Sequence, residues 1–141
     1  MVQFIKTRGN QGEIHAAGLL DPYFQLIPMG EGFVEILNDR KSFEEHRLAA
    51  EKAFKKAEEL AFSGQYEILI LDEINYAVRG KLLTVQAVKE LLTRKPDGLH
   101  MVLTGRNAHP ELIAIADLVT EMQEIKHPYQ KGIRAQPGID F

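Results

Sequence analysis

A nearly unbroken run of apolar, mostly branched side chains in the middle of this chain ends directly in two acids. The run is Tyr66-Glu67-Ile68-Leu69-Ile70-Leu71, and Asp72-Glu73 follow it. Such a run is typical of a strand that is buried on both faces of a parallel sheet, so we predict a central strand here. Ligands of open α/β sheets bind at the carboxyl ends of the strands, which places the two acids at a predicted ligand site.

Helical patterns lie on both sides of this strand. Ser42 and Glu45 have the spacing of a capping box, which predicts that a long helix begins there and stops before Gly64. A second helix is predicted over residues 84–93, and a further buried strand over residues 100–103. Strands that alternate with helices predict an α/β domain with a mostly parallel sheet flanked by helices.

The rest of the chain is interpreted in the same way. We predict an opening strand over Met1–Ile5, a helix over Ile14–Leu20, a strand over Tyr23–Ile27, a helix that begins near Pro110, a strand over Asp117–Glu121 and irregular structure from Gln123 onward.

The length and composition of the chain limit the number of domains and the classes of function that it can have. The 141 residues are close to the commonest domain size, so a single domain over residues 1–141 is predicted. A formal net charge of -3 gives no general attraction to nucleic acid or to an anionic membrane. The absence of cysteine excludes disulfides, thiolate metal sites and cysteine nucleophiles. With no apolar run near the ~20 residues that span a bilayer, we expect a cytoplasmic protein without nucleic-acid or membrane partners.

The two acids after the central strand resemble a Walker B motif. Carboxylates suit this role because Mg²⁺ prefers oxygen ligands and bridges to nucleotide phosphates. The alternative is that Asp72 and Glu73 are solvated loop residues or a helix cap, and the pattern alone leaves both interpretations open.

Polar residues also follow the next predicted strand. Thr104-Gly105-Arg106 should emerge on the same edge of the sheet as the two acids. The planar guanidinium of Arg106 is suited to clamp phosphate or ribose oxygens. The alternative is a surface arginine that pairs with a neighbouring acid.

Six blocks in order along nearly the whole chain carry a family resemblance. They are Val2-Gln3-Phe4-Ile5-Lys6, Leu71-Asp72-Glu73-Ile74-Asn75, Leu103-Thr104-Gly105-Arg106, Ala116-Asp117-Leu118-Val119-Thr120-Glu121-Met122, Lys126-His127-Pro128, and Gly132-Ile133-Arg134-Ala135-Gln136 with Gly138-Ile139-Asp140-Phe141. Together they resemble the P-loop-type cob(I)alamin (corrinoid) adenosyltransferases, which have a P-loop NTPase-like (RecA-like) fold.

The resemblance implies a homodimeric cytoplasmic enzyme that transfers the 5′-deoxyadenosyl group of ATP to the Co(I) centre of a corrinoid, in cobalamin biosynthesis or salvage, and releases triphosphate. The cobalt ion is the nucleophile, so no catalytic side chain is implied. By the same resemblance, Asp72 and Glu73 match the acids on the Mg²⁺ side of the site, and Thr104 and Arg106 fall in a block that lines the nucleotide site. A flavoprotein reductant is a further implied partner.

Two features depart from the family pattern. Family members place a strand, a glycine-rich loop and a helix before the strand that matches Val2–Lys6, and no G-x-x-x-x-G-K-[ST] motif occurs in these 141 residues. We therefore expect the first strand, the P-loop and the first helix to be missing, through truncation or through loss. The segment Gly32-Phe33-Val34-Glu35 matches a corrinoid-binding segment of the family, with Phe33 retained and Glu35 in place of tryptophan.

These departures keep two other functions open beside adenosyl transfer. One is a non-catalytic nucleotide- or corrinoid-binding homologue that has lost the P-loop. The other is a P-loop ATPase relative that acts on a different substrate and releases phosphate rather than triphosphate.

Overall fold

The computed structural model of the chain describes residues 1–6, 12–32 and 42–136. These residues fall into two compact units, one made of residues 1–6, 26–32 and 42–115 and the other of residues 12–25 and 116–136. No helix within the described ranges has the length and apolar character needed to cross a membrane. The interpretation of residues 1–141 as a single domain stays a prediction.

The first unit is built on a parallel sheet of four strands. The strands are β1 (Val2–Gln3), β2 (Ile27–Pro28), β3 (Ile68–Asp72) and β4 (His100–Leu103). Their order is β2-β1-β3-β4, and all three neighbouring pairs are parallel. The predicted α/β class with a parallel sheet is confirmed, and β3 has the predicted central position.

Helices connect the strands. They are α1 (Gly12–Leu19) in the second unit, and α2 (Phe43–Ala61), α3 (Ile74–Arg79), α4 (Val85–Arg94) and α5 (Pro110–Ile115) in the first. The second unit also contains a 3-10 helix over Pro128–Lys131. The capping box of α2 is confirmed, because the Glu45 N–H donates to Ser42 Oγ at 3.3 Å and the Ser42 N–H donates to Glu45 Oε2 at 2.7 Å.

The two faces of the sheet are buried to different extents. Side chains alternate along a strand, so Leu69 and Leu71 of β3 point to one face, and both are almost fully buried. The other face is more open, with Ile68 58% and Val102 44% exposed. The prediction that β3 is buried on both faces is therefore wrong at Ile68, and the prediction that β4 is a buried strand is wrong at Val102.

The structure differs from the sequence-based predictions in three elements: two predicted strands and one helix that was not predicted. The strand predicted over Tyr23–Ile27 is a turn and irregular chain as far as residue 26, and the strand begins only at Ile27. The segment Asp117–Glu121 is not a strand, and it is exposed throughout. Helix α3, directly after the two acids, was not predicted.

The ends of β1 and β2 approach each other very closely. The Gly30 N–H donates to the Lys6 carbonyl at 3.1 Å, and the Gly32 N–H donates to the Ile5 carbonyl at 2.8 Å. A Cβ at position 30 would lie 2.2 Å from the carbonyl carbon of Ile5. Only glycine fits at this position, so the chain beyond β2 can lie directly against the backbone that follows β1.

Candidate functional site

The carboxyl ends of β3 and β4 bring the predicted site residues to one edge of the sheet. Asp72 is the last residue of β3, and Thr104 directly follows β4. The pairing of the two strands continues past β4, since the Thr104 N–H donates to the Leu71 carbonyl at 3.1 Å. The structure therefore places Asp72, Glu73 and Thr104 next to one another, as the sequence predicted.

The hydroxyl of Thr104 links both acids. Thr104 Oγ1 donates to Asp72 Oδ1 at 3.0 Å and accepts the backbone N–H of Glu73 at 3.0 Å. A hydroxyl can donate one hydrogen bond while it accepts others, so this single group orients a carboxylate and fixes the backbone of the next residue. Thr104 is in this way a structural part of the acidic site.

Asp72 is also held from the opposite side, by β1. Gln3 is paired in register with Asp72, and its Nε2 donates to Asp72 Oδ2 at 3.2 Å. Each oxygen of the Asp72 carboxylate thus accepts a hydrogen bond from a neighbouring strand. The oxygens retain further lone pairs, because an ionised carboxylate has about four acceptor positions.

Glu73 has an unusual backbone conformation. Its φ of 62° lies in the left-handed region, which is uncommon for a residue other than glycine and is frequent at functional sites. Glu73 occupies the N-cap position of α3, but its side chain forms no capping hydrogen bond. The helix-cap alternative for this acid is therefore not supported, and its carboxylate accepts no hydrogen bond from the described residues.

The electrostatic environment of Glu73 opposes its ionisation. Burial is the main cause that raises the pKa of the Glu73 carboxyl above its usual value, and the like charge of Asp72 acts in the same direction. The positive charges of Arg106 and Lys6 lower this pKa and offset part of the effect. Two neighbouring carboxylates without full compensation are an arrangement that a bound cation would stabilise.

The loop after β4 packs tightly against the acids. Gly105 has a φ of +117°, and a Cβ there would lie 3.0 Å from Glu73 Oε2 and 3.1 Å from the Cβ of Asn75. The Asn75 N–H donates to the Thr104 carbonyl at 3.2 Å, and Asn75 Nδ2 lies 3.4 Å from the Gly105 carbonyl that accepts from it. Asn75, the second residue of α3, thereby anchors the loop on which Thr104 and Arg106 are located.

Arg106 is close enough to act on Glu73 through its charge, and its side chain is exposed. It forms no ion pair with an acid among the residues that the structure describes. The surface-pair alternative for Arg106 is therefore not supported within these ranges. Its guanidinium remains available to an anionic ligand at the same edge.

The two residues predicted to contact the corrinoid, Phe33 and Glu35, lie outside the described residues. Their assignment therefore stays a prediction.

The donor set at the edge fits a hard divalent cation. Asp72 and Glu73 offer carboxylate oxygens, and the described residues contain no cluster of three or more His, Cys, Asp or Glu side chains. The described ranges would therefore supply these two carboxylates as ligands. That suits Mg²⁺ in a nucleotide site, where water and phosphate oxygens occupy the other positions. It does not suit zinc, which is usually held by three or four protein ligands.

The parallel sheet of four strands flanked by helices is consistent with a P-loop NTPase-like fold. The family described as ATP:corrinoid adenosyltransferase BtuR/CobO/CobP matches the chain over residues 1–141. The chain belongs to this family.

Individual relatives agree with this assignment. A corrinoid adenosyltransferase from Sinorhizobium sp is 43% identical over 146 residues, a match that covers all of this chain and 65% of the relative. Corrinoid adenosyltransferases from Pseudomonas aeruginosa and Escherichia coli strain K12 are 35% and 31% identical, again over the whole chain and over 68% and 69% of their own lengths. The chain thus spans about two thirds of the length of the relatives that it matches.

Two residues of the site were not identified from the sequence. Gln3 and Asn75 both appear in the blocks that carry the resemblance, but neither was given a role. Gln3 could have been noticed as the polar residue in the apolar run from Val2 to Ile5. Asn75 carried no comparable signal, because α3 itself was not predicted.

Proposed function

We propose that this protein acts in the transfer of the 5′-deoxyadenosyl group from ATP to the Co(I) centre of a corrinoid. The observation that carries the proposal is the convergence of Asp72, Glu73 and Thr104 at the carboxyl edge of the sheet, linked by hydrogen bonds of 3.0 Å. Membership of the adenosyltransferase family over residues 1–141 supplies the reaction.

In this proposal Asp72 and Glu73 hold Mg²⁺ on the side of the ATP phosphates. When bound, the cation neutralises phosphate charge and orients the triphosphate as a leaving group. The hydrogen bonds from Gln3 and Thr104 set the orientation of the Asp72 carboxylate before any ligand arrives. Preorganised ligands of this kind avoid the cost of rearrangement on binding.

Thr104 and Arg106 are proposed to contribute to the nucleotide site. The exposed guanidinium of Arg106 can donate to phosphate or ribose oxygens. Thr104 acts mainly by fixing the backbone of Glu73, since its hydroxyl is already engaged with both acids. The roles of the two residues are thus different, with Arg106 toward the ligand and Thr104 toward the metal site.

The reaction itself needs no protein nucleophile. Co(I) attacks the 5′ carbon of ATP with an electron pair, a cobalt–carbon bond forms, and the bond from that carbon to the triphosphate oxygen breaks. Triphosphate leaves with the bonding electrons, and the cobalt is formally oxidised to Co(III). The contribution of the protein is to orient Mg·ATP and to exclude water from the reacting centre.

The finer assignments belong to the same proposal. The corrinoid is cob(I)alamin or cob(I)yrinic acid a,c-diamide, and Phe33 and Glu35 lie near it. The protein is proposed to work as a homodimer in the cytoplasm, with a flavoprotein as the source of the electron for Co(I). A corrinoid substrate is supported by the family description and by the names of the relatives. The other points are supported by the resemblance of the sequence blocks alone.

The decisive experiment is an adenosylation assay with chemically reduced corrinoid and Mg·ATP, in which adenosyl-corrinoid and triphosphate are quantified. Asp72→Asn removes one charge at the site with almost no change in shape, and we expect at least a tenfold loss in kcat/KM. Asp97→Asn, at an exposed turn, is the matched control and should leave the rate unchanged.

The products separate this function from its alternatives. Equal amounts of triphosphate and adenosyl-corrinoid support adenosyl transfer. Corrinoid binding without transfer would indicate a non-catalytic homologue, and release of phosphate from ATP would indicate an ATPase. Equal rates for the Asp72→Asn and Asp97→Asn variants would refute the assignment of the acidic edge as the site.

A further inference from the structure

Gln3 is a buried polar side chain in an otherwise apolar segment. It is only 1% exposed, and its neighbours Val2 and Phe4 are equally buried. Burial of an amide costs stability unless its polar atoms are paired, so such a residue calls for an explanation. A leucine or methionine would fill the same volume without that cost.

The amide nitrogen of Gln3 has a specific partner in Asp72. Nε2 donates to Asp72 Oδ2 at 3.2 Å from β1, while Thr104 donates to Oδ1 from beyond β4. The carboxylate is therefore held between its two neighbouring strands. Two hydrogen bonds to different oxygens fix the rotation of the carboxylate plane, which a single bond would leave free.

The amide oxygen of Gln3 is left without a hydrogen-bond donor among the described residues in this arrangement, which costs folding free energy. Oε1 is buried and accepts no hydrogen bond from the described part of the chain. An ionised carboxylate can only accept, so the nitrogen of the amide must face Asp72 and the oxygen must point away. The orphaned acceptor is thus a direct consequence of the bond to Asp72.

We infer that Gln3 is a positioning residue that sets the orientation of the Asp72 carboxylate for binding of a divalent cation. The inference rests on the proposed function, in which Asp72 is a Mg²⁺ ligand. Gln3 is suited to this role because it is neutral. It orients the carboxylate without neutralising it, so the full negative charge of Asp72 remains available to the metal.

The test is the affinity for Mn²⁺, a spectroscopic substitute for Mg²⁺, measured by electron paramagnetic resonance with and without ATP. Gln3→Met keeps the approximate size of the side chain and removes the amide. We expect a Kd for Mn²⁺ about tenfold higher, as for other outer ligands that orient a metal-binding group. The melting temperature should be unchanged or raised, because the orphaned acceptor is removed and half-buried Asp72 can bind water instead.

Three further variants test whether the change in Mn²⁺ affinity comes from loss of the Gln3 amide. Gln65→Met, at an exposed glutamine, is the matched control and should leave the Mn²⁺ affinity unchanged. Gln3→Leu removes the same amide with a different shape and should reproduce the effect of Gln3→Met. Asp72→Asn should weaken Mn²⁺ binding more than either change at Gln3.

The possible outcomes separate this inference from the proposed function. If Asp72→Asn weakens Mn²⁺ binding and both Gln3 variants bind as tightly as the unchanged protein, only the role of Gln3 is refuted. If both Gln3 variants fail to fold, the residue is structural and the inference is likewise refuted. If the unchanged protein does not bind Mn²⁺, or Asp72→Asn has no effect, the metal site fails and the inference fails with it.

Discussion

Gly105→Ala tests how closely the loop after β4 is fitted to the acidic site. Gly105 has a φ of +117°, which L residues rarely adopt, so an alanine there would be strained by about 1 to 3 kcal/mol. The added Cβ would also lie 3.0 Å from Glu73 Oε2, 3.1 Å from the Cβ of Asn75 and 3.3 Å from the Cα of Glu73. Crowding of this kind typically costs a further 1 kcal/mol or so, toward the lower end of the overpacking range of about 1 to 3 kcal/mol.

The two costs together predict a loss of about 2 to 4 kcal/mol in the free energy of unfolding. The flexible Glu73 carboxylate can move aside, so it absorbs part of the crowding. The backbone of Glu73 and the side chain of Asn75 cannot easily do so, since Asn75 is only 6% exposed. We therefore expect the variant to fold, with lower stability, a displaced Glu73 carboxylate and weaker Mn²⁺ binding.

Urea denaturation followed by circular dichroism measures the loss directly. Gly98→Ala is the matched control, because Gly98 has no left-handed φ and a Cβ there would meet nothing within 4 Å. That variant should be neutral or slightly more stable, by up to about 1 kcal/mol. If Gly105→Ala loses less than about 0.5 kcal/mol, the close fit between the loop and Glu73 does not exist as described.

Three other substitutions test separate features of the structure. Gly30→Ala should cost about 3 kcal/mol or more or prevent folding, since the new Cβ would lie 2.2 Å from the Ile5 carbonyl carbon; a stable variant would contradict the close approach of the two chain segments. Ser42→Ala removes the cap of α2 and should cost about 1 kcal/mol in urea denaturation; no loss would mean that the capping box is not formed in solution. Glu73→Gln should raise the melting temperature slightly at pH 7 and weaken Mn²⁺ binding, because the ionised carboxylate is opposed by burial and by Asp72. The pKa of Glu73 is raised by folding, so the unchanged protein loses stability as pH rises above the unfolded pKa. The advantage of the variant should therefore vanish at pH values below the unfolded pKa, and an advantage that grows at low pH would refute the sign.

Features that depend on neighbouring residues in the sequence were predictable. The capping box of α2 was predicted from two side chains that bond within three residues, as observed. Helix α4 was predicted from its apolar spacing and begins at Val85, with Thr84 as its N-cap. The acids after β3 were predicted at the sheet edge because strand ends of a parallel sheet converge there. Their contact with Thr104 was implied by the same rule and is confirmed by the 3.0 Å bond to Asp72.

Features that depend on distant partners were not predictable in the same way. Ile27 and Pro28 form a strand because β1 lies beside them, and the preceding residues have no such partner. The segment Asp117–Glu121 has a sequence that suits a strand, yet no described strand pairs with it. The bond between Gln3 and Asp72 joins residues 69 positions apart, so no local pattern could indicate it.

Because the Asp72 carboxylate is held by residues from distant strands, thermal unfolding of the protein can report whether a ligand is bound at this site. Gln3 and Thr104, which donate to the Asp72 carboxylate, lie 69 and 32 residues away in sequence, so the site exists only while β1, β3 and β4 are assembled. A compound that binds there therefore binds the native state alone, and at a hundred times its Kd it adds about 2.7 kcal/mol to the stability of that state. Unlabelled nucleotides, metal ions and corrinoids can accordingly be ranked on this protein by melting curves, before any catalytic turnover has been measured.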